Sequence, residues 1–404
     1  MADQGQGVTL RSIAAAAFLP PALFSVSVGA ITPVVPLSAT ALGASPALAA
    51  VVVALTGLGQ LLADAPAGSL TARFGERPVM IGAGLLCAVA LAAAMLSRSL
   101  LMFAAAMFVM GMGTAVWMLA RLTFVAELVP FVLRARAMST LGGVQRIGLF
   151  IGPFLGAAAV HYFGTPGAYG VGLVAVLVSA GVLLVVTEPS VDTPAEAAPD
   201  RVGYRQMLRS EAGTFATLGL GVLLVSVVRA SRQVVLPLWG EHLALAPATI
   251  SLIYGLSGAV DMLLFYPAGR LMDLRGRALV AVTSMLGLAV AHLLLPLTGA
   301  PVTLTLVAML MGLGNGMGSG LVMTIGADLA PPGQRPVFFG IWRLVSDAGT
   351  GVGPFILAGI TAAVSLGAGV LAMGGAGLAA AAAMGYWIPR RAAPRDRPGP
   401  AASG

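Results

Sequence analysis

Long apolar stretches alternate with short polar ones along the whole chain. Residues 12–37, 46–68, 78–97, 100–128, 137–161, 168–187, 213–238, 247–269, 278–297, 302–328, 337–362 and 365–388 form twelve such stretches, each nearly free of charge. A helix of about 20 apolar residues crosses the hydrocarbon core, and in lipid only a structure that satisfies its own backbone hydrogen bonds can span. The pattern therefore predicts an all-α membrane protein with twelve transmembrane helices. The first stretch is too long for the apolar core of a signal peptide and lacks the short pattern that ends one, so it is read as the first membrane helix. The polar interval 188–212, with Glu188, Asp192, Glu196, Asp200, Arg201, Arg205, Arg209 and Glu211, predicts a solvated linker. It divides an N-terminal six-helix bundle, residues 1–187, from a C-terminal one, residues 213–389, which a basic tail follows at 390–404.

Composition agrees. Of the 404 residues 58% are hydrophobic and 9% charged, which excludes soluble and disordered classes; the net charge of +7 then points to the membrane surface and not to nucleic acid. All 22 basic residues are arginine. Outside the apolar stretches, every one except Arg98 lies at a terminus or in every second loop. Basic loops stay in the cytoplasm, so the expected location is the cell's inner (cytoplasmic) membrane, multi-pass, with both termini cytoplasmic. Cys87 is the single cysteine and the three histidines are scattered, so neither a metal site nor a cofactor is expected. No nucleophile, metal or acid pair converges on a common site, and no enzyme activity is expected.

The chain matches itself after a shift of 201 residues. Gly57 falls on Gly258, Gly75 on Gly276, Gly111 and Gly113 on Gly312 and Gly314, Gly148 on Gly349, and Gly152-Pro153-Phe154 on Gly353-Pro354-Phe355. Glycine and proline fix backbone geometry, so coincidence at these types carries weight. A parallel repeat with an even number of spans places both halves the same way up, related by an axis along the membrane normal.

Two motifs within this repeat carry a resemblance. After the second apolar stretch Gly68, Arg73, Gly75 and Arg77 stand in GSLTARFGER, and the second half repeats the pattern with Gly269, Asp273, Gly276 and Arg277 in GRLMDLRGR. The fifth stretch carries Gly148, Gly152, Pro153 and Gly156 in GLFIGPFLG. The first is similar to the inter-helix signature of the major facilitator superfamily, and the second resembles an element typical of its antiporters. The chain thus resembles a twelve-helix transporter of that superfamily, of the drug/proton-antiporter-like branch, over nearly its whole length. The resemblance implies that the signature acid bonds an arginine and holds the inner side shut. Here Ala72 replaces that acid in the first copy and Asp273 keeps it in the second, while Glu127 and Asp328 end the fourth and tenth helices where each can meet arginines of its own half. Many drug exporters of the superfamily have an arginine four residues before the glycine at Gly111, where this chain has Met107.

Charge inside a span costs roughly 2.5–3.5 kcal/mol or more and is seldom kept without a partner or task. Arg121, Arg146, Arg229, Arg232 and Arg343 lie within the apolar stretches with Asp64, Asp261 and Asp347. Arg146 is about 15 Å along its helix from Arg136, and Asp261 about 12 Å from Gly269. The resemblance places helix five beside helix eight, so a pair Arg146 to Asp261 across the halves is expected; Asp64 with Arg343 is the analogous candidate, with Asp347 competing for the same arginine. Such carboxylates are candidates for proton coupling, in the order Asp261, Asp347, Asp64; static ion pairs are the competing reading. The resemblance implies a cargo chamber lined by helices one, four, seven and ten, which makes Arg121, Trp117, Arg229 and Asn315 candidate lining residues. Arg229 and Arg232 are also placed to snorkel to the outer interface, the preferred reading for Arg232.

The expected function is a secondary active transporter that exports a small organic molecule by alternating access in exchange for protons, working as a monomer in the bilayer. The alternative is proton-coupled movement of an anionic metabolite, such as a carboxylate or a siderophore-like compound, which an excess of cavity arginine would suit better.

Overall fold

The computed structural model describes residues 14–128, 131–185, 204–331 and 334–391. Among the described residues twelve helices are long and apolar enough to cross a membrane: Ala17–Ala41, Pro46–Asp64, Glu76–Leu96, Leu100–Val125, Ala137–Phe163, Pro166–Val185, Ala212–His242, Pro247–Arg275, Arg277–Leu297, Pro301–Leu329, Val337–Ala363 and Leu366–Arg391. They are called spans 1 to 12 below. No strand occurs among the described residues, and the chain is a multi-pass membrane protein.

Glycine decides where the spans touch. A Cβ on Gly111 would collide with the Thr56 carbonyl, and one on Gly312 with the carbonyl of Ser257, the residue 201 positions on from Thr56. Gly113 abuts Ala83 and Cys87, and Gly314 abuts Ser284 and Leu288, again at a shift of 201. Gly148 and Gly152 lie against Ala22 and Val26 of span 1, while Gly349 and Gly353 lie against Leu223 and Val227 of span 7. Backbones approach this closely only where side chains are missing. The repeat seen in the sequence is therefore a repeat of helix contacts.

Each half buries its own spans in this way, and the halves meet along two seams, span 2 against span 11 and span 5 against span 8. The first seam is close at Gly57 and Gly351, the second at Phe154 and Gly255.

Two spans break. Span 1 turns at residues 32–34 between helices Ala14–Ile31 and Val35–Ala41. Span 10 stops at Met317 and restarts at Leu321, and Gly320 between them has φ +76°, a left-handed conformation open to glycine at little cost. The expected linker also has structure at its end: helix Tyr204–Ser210 buries Met207, and Tyr204 lies against Gly340 of span 11. The remainder of that interval, residues 188–203, lies outside the described residues, as does the tail beyond Arg391.

Both described ends of the chain lie at one face of the bundle, the terminal face. At the opposite face the helix Val35–Ala41 packs on span 7 and closes the halves together. Toward the terminal face Arg343 and Asp347 keep 42% and 37% of their side chains exposed although both lie within span 11.

Candidate functional site

A cavity of about 570 Å³ lies between the halves. Its wall in the N-terminal half is mostly apolar, with Phe24, Met107, Met110, Met118, Leu149 and Phe150, and its uncharged polar groups are Ser25, Thr32, Thr56, Gln60, Thr114 and Gln145. Its wall in the C-terminal half carries the charge. Arg229, Arg232 and Gln233 share one face of span 7 by their i, i+3, i+4 spacing, Tyr254, Gly258 and Asp261 share one face of span 8, and Asn315 comes from span 10. Arg146 reaches this cluster from span 5, across the boundary between halves.

Asp261 sits at the centre. Its Oδ1 is 3.9 Å from Arg146 Nη1 and its Oδ2 is 3.6 Å from Arg232 Nη2. Asn315 donates its Nδ2 hydrogen to Asp261 Oδ2 and accepts on Oδ1 from Arg229 Nε at 2.8 Å, so one amide bridges anion and cation. The break in span 10 supplies further acceptors. Arg229 Nη1 donates at 3.0 Å to the Gly318 carbonyl, which also accepts from Leu321 N–H at 3.2 Å, and Arg146 Nη1 donates to the Ser319 hydroxyl at 3.2 Å. Arg232 Nη1 donates to Ser257 Oγ at 3.3 Å, and the Arg146 guanidinium lies 3.9 Å from the centre of the Phe265 ring. Behind Arg232, the buried His292 meets Ser231 Oγ at 3.0 Å and the Leu288 carbonyl at 2.8 Å, which ties span 7 to span 9.

Three guanidiniums thus surround one carboxylate, a formal excess of two positive charges. They use few of their donors on the protein. Asp261 Oδ1 is itself buried without a hydrogen bond. The cluster is arranged to accept another anionic group.

The pair Arg146 to Asp261 stands across the halves at the depth the sequence suggested. Arg232 does not snorkel: it is 8% exposed and faces Asp261, because its i+3 spacing from Arg229 puts both on the same helix face. Trp117 and Arg121 do not line the cavity. Trp117 is buried behind Phe24, stacked on it with ring centres 4.1 Å apart, and Arg121 is packed one turn further on, with Nε and Nη1 unbonded among the described residues. The lining face of span 4 is Met107, Met110, Thr114 and Met118, one step round the helix.

The seam between spans 2 and 11 carries the other acids. Arg343 Nε bonds Asp347 Oδ2 at 3.2 Å on its own helix, and Asp64 lies near both without closing an ion pair with Arg343. Under the shift of 201 residues Arg146 corresponds to Asp347 and Asp261 to Gln60. The equivalent positions on the two seams therefore carry different chemistry.

In the signature loops Gly75 and Gly276 take φ +81° and +86° at the helix junctions. Arg77 Nε donates to the Leu183 carbonyl at 2.6 Å, and Arg277 bonds Asp328 at 2.9 Å with Asp273 at 3.8 Å. These bonds stay within one half. Asp273, the acid expected to latch the halves, is 77% exposed. Gly68 and Gly269 lie on the spans leading into the loops, Arg73 stacks on Phe74, and the Glu127 side chain lies outside the described residues. The Gly148, Gly152 and Gly156 face packs span 5 on span 1, with Pro153 at the cavity wall.

A chamber between two six-helix repeats, broken spans and paired seams are the features of one transporter architecture. The profile of the Major Facilitator Superfamily matches residues 21–229 and 218–404. The chain belongs to this superfamily. Solved structures of similar fold include the human organic anion transporter MFSD10 (TM-score 0.65, 17% identity, 93% of this chain and 100% of that one) and a POT family transporter in complex with a thioalcohol-conjugated peptide (0.76, 12%, 94% and 96%). A D-xylose-proton symporter is a third (0.70, 16%, 93% and 97%). No curated protein matches the sequence. Superfamily and fold are those of transporters, not of enzymes, and imply a small-molecule cargo.

Proposed function

We propose that the chain is a proton-coupled secondary transporter of a small organic anion, with Asp261 as the proton-carrying group. The observation that carries this reading is the excess of guanidinium over carboxylate at the cavity wall, Arg146, Arg229 and Arg232 around Asp261. Uncompensated positive charge in a low-dielectric chamber attracts an anion and repels a cation. The electrostatics thus favour the anionic alternative over a drug-exporter branch that handles lipophilic cations. The glycine motif on span 5 does not weigh against this, since it and its counterpart on span 11 serve the same close packing in both halves. A solved human protein of this fold is an organic anion transporter, so the architecture accommodates such cargo.

The apolar wall of Phe24, Met107, Met110 and Phe150 suits a hydrocarbon body opposite the charged head. We place the terminal face in the cytoplasm of an inner-membrane protein, on the arginine excess of the loops there. The working unit is a monomer, because the whole cavity is built within one chain.

The test uses purified protein and charge-matched compounds: phenylacetate and benzenesulfonate against phenethylammonium and benzyltrimethylammonium. A ligand that binds only the folded protein raises its melting temperature. The anions are expected to stabilise and the cations to have no effect; stabilisation by the cations alone contradicts the reading.

A further inference from the structure

Asp261 occupies the place that an anionic cargo needs. Its carboxylate lies between Arg146 and Arg232 and reaches Arg229 through Asn315, so the groups that would hold the cargo's head are already facing an acid of the protein. Asn315 bonds Oδ2, but the arginines hold the carboxylate loosely: 3.9 Å and 3.6 Å are ion-pair distances beyond hydrogen-bond range, and Oδ1 makes no hydrogen bond. A cargo carboxylate or sulfonate that donated nothing and accepted from the same guanidiniums would compete with this resident carboxylate.

We propose that Asp261 is an internal competitor of the cargo, so that a monoanion and a proton bind together and move in the same direction; this rests on the anion reading above. The step is a simple proton addition. Water on the open side delivers H⁺ to the Asp261 carboxylate, which becomes a neutral acid, and the arginines released from it take the incoming anion. No other bond forms or breaks.

Charge arithmetic gives the coupling its direction. The empty cluster carries +2, from Arg146, Arg229 and Arg232 against ionised Asp261. With a proton and a monoanion both bound it carries +2 again. The half-loaded forms differ by a unit charge, and a unit charge in a low-dielectric chamber is costly when the halves close round it. Exchange of anion for proton would need the cluster to cross once with one charge fewer and once with one charge more. Co-movement lets it cross unchanged both ways, which replaces the exchange expected from the sequence.

The groups facing Asp261 are known from every packed element. Arg146 faces it from span 5, Arg229 and Arg232 from span 7, the non-titrating Asn315 from span 10, and Tyr254 lies on its own span. His292 of span 9 is turned to Ser231 and the Leu288 carbonyl. Asp261 is the carboxylate of this set.

The experiment measures binding of benzenesulfonate, whose charge does not change with pH, to full-length protein at pH 5.5 and pH 8, with phenylacetate as a second probe. By reciprocity, if protonation frees the arginines then binding is tighter in acid, at least roughly tenfold across this interval. Asp261→Asn, which imitates the protonated acid, is expected to bind tightly at both values. The wild-type comparison stands even where the variant does not fold. Anion affinity that is unchanged, or higher at pH 8, overturns the proposal and leaves the anion reading intact. If neither anion binds at either pH, the anion reading itself fails.

Discussion

Arg229→Gln is expected to lower the affinity for the proposed organic anion roughly 10- to 100-fold and to leave the protein folded. The guanidinium is held by Asn315 at 2.8 Å and by the Gly318 carbonyl at 3.0 Å, so it is already oriented before cargo arrives. A hydrogen bond to a charged group contributes about 1.5–3 kcal/mol, and each 1.4 kcal/mol is about tenfold in Kd. Glutamine keeps a donor for Asn315 but loses the charge and the fork. Because two arginines remain beside Asp261, the carboxylate is not stranded and stability changes little. Titration of benzenesulfonate against the melting temperature of the variant checks both statements. An unaltered Kd would place the cargo's head elsewhere in the cavity.

Exchange of the pair that links the halves has the second large effect. Asp261→Arg gathers four guanidiniums in one cluster and is expected to destabilise by about 3–5 kcal/mol, as breaking a buried pair does. Arg146→Asp is milder, since Arg229 and Arg232 still face the two carboxylates that result. The double variant Arg146→Asp with Asp261→Arg restores most of the stability lost in Asp261→Arg, because a charge pair again spans spans 5 and 8. Melting temperatures of the three variants in detergent form the cycle; strictly additive losses would mean that the two residues do not act on each other.

The architecture was legible because it rests on length and repetition. Twelve apolar stretches and a 201-residue shift at glycine and proline survive any choice of cargo, and the glycines that matched in sequence are those that touch backbone in space. The pair Arg146 to Asp261 was legible from depth along two helices once the resemblance had set helix five beside helix eight. Helix faces were not. Between Leu100 and Ala120 span 4 has Thr114 as its one polar side chain, so no apolar stripe separates Met118, which lines the cavity, from Trp117 beside it, which is buried behind Phe24. Arg232 had a signal, its spacing of three from Arg229, but its position nearer the opposite face suggested a route to the interface. The break at Gly318 to Gly320 and the hydrogen bond from Arg229 to the Gly318 carbonyl have no counterpart in the apolar pattern, which runs unbroken through this stretch.

We propose that a mid-membrane arginine cluster carries an organic anion between two rocking halves. Proteoliposomes that hold the protein and an impermeant pH dye test it directly. An inward gradient of benzenesulfonate is expected to acidify the interior, with Arg229→Gln vesicles showing at most about a tenth of the rate. Movement of benzyltrimethylammonium in its place, or a dye signal of the opposite sign, would contradict the account.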